Sequence, residues 1–158
     1  MSVSPLPITA VNHIALTTPD LDRLADFYER VFGAEVLARA EGEPRKFFIK
    51  LTAGTSLHVF ERADAAKAAA ASAFDCGSIN HFALEAREPE TFVAIRNELI
   101  AQRRVSETVY DAPGVYTLFA TDPDGLLIEL LAHKRSGWTP PFATEQFVPL
   151  GEPASPGP

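Results

Sequence analysis

The segment Val11-Asn12-His13-Ile14-Ala15-Leu16 returns as Ile79-Asn80-His81-Phe82-Ala83-Leu84, an offset of 68 positions. In each copy apolar residues alternate around the histidine, the period-two pattern of a strand with one face on a core. A chain that carries one histidine-bearing strand twice is constrained to fold as two related modules. The repeat extends past the strands. Leu21, Leu24, Phe27, Tyr28, Val31 and Phe32 follow the first copy at amphipathic-helix spacing and stop at Gly33, a residue suited to a helix C-terminus. A second helix is expected from Pro89-Glu90 through Phe92, Val93, Ile95, Leu99 and Ile100. Three extended segments follow each helix, at about 35–40, 46–52 and 55–61, then about 105–110, 114–121 and 126–131. Each half therefore reads βαβββ.

The last strands align at an offset of 71, which matches Phe48 with Phe119, Gly54 with Gly125, Leu57 with Ile128, and His58 with Glu129. Two polar residues thus occupy equivalent strand positions. Asp122-Pro123-Asp124-Gly125 has turn chemistry, proline setting φ and glycine accepting φ > 0, and should deliver Leu126–Leu131 as the second arm of a hairpin. Thr52-Ala53-Gly54-Thr55 is its weaker counterpart.

At 158 residues with 46% hydrophobic content, the chain is long and apolar enough for a core. A net charge of −7 argues against nucleic acid and anionic membrane as partners, since both require a concentrated basic surface. A small molecule is the expected ligand. No segment approaches a membrane span, and Met1–Thr9 lacks the basic start and apolar core of a signal peptide, so a cytoplasmic location is expected. The single Cys76 has no partner for a disulfide or a thiolate metal site, and is read as a partly buried residue near a turn. The alanine-rich stretch between the halves, 63–77 with Asp64 and Lys67, reads as a linker helix or loop. Past residue 135 the prolines, Pro140, Pro141, Pro149, Pro153, Pro156 and Pro158 among them, argue against regular structure. Phe142, Phe147 and Leu150 are expected to pack the start of that tail, which also holds Trp138, on the domain or a partner subunit, and its end is expected to be disordered.

Four segments together resemble the vicinal oxygen chelate superfamily, which includes glyoxalase I, methylmalonyl-CoA epimerase, fosfomycin-resistance proteins, extradiol dioxygenases and bleomycin-binding proteins. They are Asn12-His13-Ile14-Ala15-Leu16, Phe27-Tyr28 through Val31-Phe32-Gly33, Asn80-His81-Phe82-Ala83-Leu84, and Asp122-Pro123-Asp124-Gly125 leading to Ile128-Glu129-Leu130. The resemblance implies an α+β fold over residues 1–158. Its tandem βαβββ modules, 10–62 and 78–134, would have curled mixed sheets enclosing a central cavity. It also implies a divalent metal held from the first and last strands of each module, at positions occupied here by His13, His58, His81 and Glu129. It further implies a homodimer.

Imidazole and carboxylate ligands suit Zn, Ni, Co, Mn or Fe(II), and the lack of thiolates disfavours a closed structural zinc site. Three neutral imidazoles and one carboxylate leave a divalent ion with net positive charge, a Lewis acid. A six-coordinate ion would keep two positions for adjacent oxygens of a substrate and would stabilise an enediolate. On this reading Glu129 is also the catalytic base of a glyoxalase-like lyase or isomerase. His58 stands where glyoxalase I members typically place a carboxylate and methylmalonyl-CoA epimerase a glutamine, so it is either a fourth ligand or a pocket residue. Glu41 and Glu43 offer a second base, or solvated loop residues. His133 is expected to be exposed or to pack on the tail.

Two other classes remain. In Fe(II) extradiol ring cleavage His13, His81 and Glu129 would form a two-histidine, one-carboxylate triad. The tyrosine usual ten residues before the glutamate is replaced by Phe119, leaving Tyr110 or Tyr116 to reach the pocket. The other class is a metal-free binding or resistance protein, with Phe47, Phe48, Phe60, Tyr110, Tyr116 and Phe119 lining its cavity or simply forming core.

Overall fold

A computed structural model describes residues 10–65 and 75–147. The chain order is β1 (His13–Thr18), α1 (Leu21–Phe32), β2 (Glu35–Ala40), β3 (Lys46–Lys50), β4 (Ser56–Glu61), β5 (His81–Glu85), α2 (Pro89–Ala101), β6 (Val109–Ala112), β7 (Val115–Thr121), β8 (Leu127–His133) and β9 (Thr144–Gln146). These elements form two mixed sheets, ordered β1-β4-β3-β2 and β5-β8-β7-β6-β9. Each begins with a parallel pair, β1 on β4 and β5 on β8, because the helix between them carries the chain across the sheet. The α+β, two-module fold is therefore as expected.

The chain divides into two compact units. The first holds residues 1–70 together with the turn Asp122–Gly125, and the second holds the remainder. In the first unit, Asp20 caps α1 by accepting from the Arg23 backbone N–H. The helix ends on Gly33 at φ 65°, whose N–H bonds the Glu29 carbonyl. Leu21, Leu24, Phe27, Tyr28 and Val31 are buried on α1, as are Phe47 and Ile49 of β3 and Leu57 and Val59 of β4. The intervening residues Phe48 and His58 belong to the other face. The Tyr28 hydroxyl donates to Asp122 Oδ2 at 3.3 Å in the buried interior of this unit, and Arg23 pairs with Asp124.

In the second unit, Pro89 opens α2, where its missing N–H costs nothing. Phe92 and Leu99 are buried on α2, as are Ile128 and Leu130 on β8. Two expectations are corrected here. The strand placed at about 105–110 begins at Val109; Val105 makes only an isolated bridge to Ala120. The tail also contains regular structure, since β9 pairs in parallel with β6, Val109 facing Thr144. The prolines stop at Pro141 and resume at Pro149, so the window between them keeps the N–H groups an added strand needs. Of the tail residues expected to pack, Phe142 does so, Phe147 is exposed with its ring 6.0 Å from Tyr110, and Leu150 lies outside the described residues. Trp138 lies 5.6 Å from Tyr116 and Phe142 6.2 Å from Phe92, with the Arg96 guanidinium 4.4 Å from the Phe142 ring. Cys76 is exposed rather than partly buried, in the turn closed by the Ser78 N–H on the Asp75 carbonyl. The end of the tail and most of the alanine-rich linker lie outside the described residues.

Candidate metal centre

The strand registers place the four expected ligands in two equivalent pairs. In the first unit Ala15 stands opposite His58, with His13 two residues earlier on the same face of β1. In the second, Ala83 stands opposite Glu129, with His81 two residues earlier on β5. The third strand repeats as well, Phe48 opposite His58 and Phe119 opposite Glu129. Alanine at both Ala15 and Ala83 keeps a single methyl beside each polar side chain, leaving the sheet face open above it. The asparagine before each histidine has a visible role. Asn12 Oδ1 lies 2.9 Å from His13 Nδ1, and Asn80 Oδ1 lies 2.7 Å from His81 Nδ1. An amide oxygen only accepts, so Nδ1–H of each histidine donates to the asparagine before it, which orients the ring.

The pairs differ in their contacts. In the first unit the His13 and His58 rings stack at 3.9 Å and 7°, and Phe48 meets His58 edge-on at 4.7 Å. Burial, followed by repulsion from His13, lowers the His58 pKa below its ordinary value, which keeps the imidazole neutral. In the second unit His81 Nε2 lies 3.1 Å from Glu129 Oε2, Thr117 donates to Glu129 Oε1 at 2.7 Å, and Phe119 meets His81 edge-on at 5.5 Å.

This second pair tests the donor set for a cation. His81 Nε2 and Glu129 Oε2 lie at hydrogen-bond distance, 3.1 Å, so an imidazole nitrogen and a carboxylate oxygen face the same point. Neutral imidazole and carboxylate are ligands for borderline divalent ions, so the residues fit such a group. Among the described residues no three His, Cys, Asp or Glu side chains gather as a metal-binding group.

Of the other expected participants, Glu41 is 77% exposed and pairs with Arg45, so it is a solvated loop residue, and Glu43 is exposed too. His133 is exposed, 3.6 Å from Glu85. Phe47 is core at 1% exposure. Tyr110 pairs with Thr117 and shares the Phe119 face, whereas Tyr116 lies on the opposite face against Trp138. Sequence reasoning passed over Thr117 and the roles of Asn12 and Asn80. The duplicated Asn-His dipeptide was the available signal for the asparagines. For Thr117 it was the hairpin register, which puts it diagonal to Glu129.

A model of the family described as the Glyoxalase/Bleomycin resistance protein/Dioxygenase superfamily matches residues 10–130. No curated protein matches the chain. Among solved structures, a glyoxylase/bleomycin resistance protein/dioxygenase domain from Frankia sp. EAN1pec is 18% identical, with a TM-score of 0.68 over 80% of this chain and 99% of that one. Lactoylglutathione lyase from Agrobacterium tumefaciens is 25% identical, with a TM-score of 0.59 over 84% of this chain and 100% of that one. A fosfomycin resistance protein from Listeria monocytogenes, complexed with Mn(II) and sulfate, is 21% identical, with a TM-score of 0.60 over 80% and 94%. Among the described residues no helix is long and apolar enough to cross a membrane.

Proposed function

The chain belongs to the Glyoxalase/Bleomycin resistance protein/Dioxygenase superfamily, and from that premise we propose that it is a divalent-metal-dependent lyase or isomerase of glyoxalase type. Its substrate is a small molecule that binds metal through two neighbouring oxygens. His13, His58, His81 and Glu129 are the ligands in this reading, and Glu129 is also the base. The observation that carries it is the juxtaposition of an imidazole nitrogen and a carboxylate oxygen, His81 Nε2 and Glu129 Oε2, at 3.1 Å on neighbouring strands. The chemistry of similar proteins supports it: one is a lactoylglutathione lyase and another holds Mn(II).

A bound divalent ion supplies Lewis acidity, holding adjacent substrate oxygens and stabilising charge that develops on them. The chain's own residues do the rest. Asn12 and Asn80 orient the two imidazoles through Nδ1. Thr117 holds one oxygen of Glu129, and the other would accept a proton from the substrate carbon and return it when that oxygen loosens from the ion. Phe48 and Phe119 give the polar groups apolar neighbours and limit water around them.

Elemental analysis of protein purified without added metal, followed by α-carbon deuterium exchange with a panel of α-hydroxycarbonyl compounds, tests this reading. Metal-dependent exchange that is lost in Glu129→Gln is expected. Wild-type protein that cannot be loaded with any divalent ion would overturn it. Oxygen uptake with catechols under Fe(II) would assign ring cleavage instead, for which Tyr110 lies on the required face. The protein acts as a homodimer in this reading, and light scattering should give about twice the 17.1 kDa chain mass.

A further inference from the structure

We propose that Thr117 is a positioning residue that makes Glu129 a one-oxygen ligand, an inference that rests on the metal reading above. Thr117 lies on β7, on the strand face that carries Phe119, yet it is 3% exposed. A hydroxyl so buried needs a partner, and two are within reach, Glu129 Oε1 at 2.7 Å and the Leu130 carbonyl at 3.2 Å. The hydroxyl has one hydrogen. The shorter bond and the charged acceptor both direct it to Glu129, where the hydrogen bond is roughly twice as strong as one to a neutral group.

The consequence falls on Glu129. A carboxylate on a strand can turn about its last torsion to offer one oxygen or both. With Oε1 held by Thr117 it presents Oε2 alone, on the side of His81 Nε2. His81 is fixed in the same way by Asn80, so this pair is oriented at both ends before any ion arrives. The repeat sharpens the point. At the 71-residue offset Thr117 corresponds to Lys46, whose side chain is exposed and lacks a hydroxyl. The imidazole of His58 has only one ligating nitrogen once its tautomer is set, so no such restraint on mode is required there. The hydroxyl is present in the module that carries the carboxylate.

Co(II) titration by calorimetry and its visible d–d spectrum, on wild type, Thr117→Val, Thr117→Ser and Glu129→Ala, test the proposal. Valine keeps the shape and removes the hydrogen bond, so Thr117→Val should bind Co(II) about 10–100-fold more weakly. Its d–d spectrum should shift as the freed second oxygen displaces a solvent ligand. Thr117→Ser should restore both affinity and spectrum. Metal-free melting curves identify any variant that loses its fold, and Thr117→Ala, which also lacks the hydroxyl and should show the same losses, decides the matter if the valine variant does. Thr117→Val matching wild type in affinity and spectrum, while Glu129→Ala loses binding, would overturn the positioning role alone. Wild type that binds no Co(II), or binds it as Glu129→Ala does, would overturn the metal reading and this inference together.

Discussion

One hydroxyl separates Tyr28 from a phenylalanine that the same interior would accept. It donates to Asp122 Oδ2, and burial, reinforced by the neighbouring Asp122 charge, raises the phenol pKa well above its ordinary value. The folded state therefore keeps the phenol neutral where the unfolded chain begins to ionise. A raised acid pKa gives stability that is complete below the unfolded value, about 10, and declines as pH rises beyond it. Tyr28→Phe should cost about 1 kcal/mol at neutral pH. It should also flatten the alkaline loss, read as urea midpoints between pH 8 and 11; parallel midpoint curves for the two proteins would contradict this. His58 behaves in the opposite sense. Its lowered pKa makes the unfolded chain take up the proton first, so metal-free protein should lose stability as pH falls below about 6.5. His58→Gln should lose less over the same range, and an equal loss in both would remove His58 as the cause.

Helix α1 and strand β9 show how local rules fix an element and where they stop. Asp20 at the α1 N-cap satisfies a backbone donor that the helix leaves open. Asp20→Ala should lower stability by about 1 kcal/mol in urea denaturation; an unchanged midpoint would mean water replaces the cap without cost. The bounds of α1 and α2 follow from apolar spacing and end residues, all within one stretch of chain. Strand β9 does not. Thr144–Gln146 has little intrinsic strand preference and becomes extended because β6 offers an open edge. Ending the chain after Ser136 removes β9 together with Trp138 and Phe142. We expect a loss of about 2–3 kcal/mol and concentration-dependent aggregation as the β6 edge is uncovered. A truncated chain with unchanged midpoint and mass would show the tail to be dispensable.

For the whole molecule, stability and metal binding are linked, because an ion that binds only the folded protein stabilises it by mass action. At 100 times its dissociation constant the gain is about 2.7 kcal/mol. Melting with and without Ni(II) or Co(II) should show that rise in wild type. It should vanish in His13→Ala and Glu129→Ala, and an equal rise in all three would place binding elsewhere.

The duplicated Asn-His-x-Ala-Leu segment determined the two modules and the βαβββ sequence of elements in each, because period-two burial and turn chemistry act over a few residues and leave their mark on composition, while the four candidate ligands came from the family resemblance. Tertiary structure alone decided what those side chains meet. The stacking of His13 on His58, the hold of Thr117 on Glu129 and the pairing of β9 with β6 join residues distant in sequence. The physical reason is that a hydrogen bond or ring contact is settled within a few tenths of an ångström. Strand register and neighbouring side chains set that distance, and periodicity constrains only which face a residue takes.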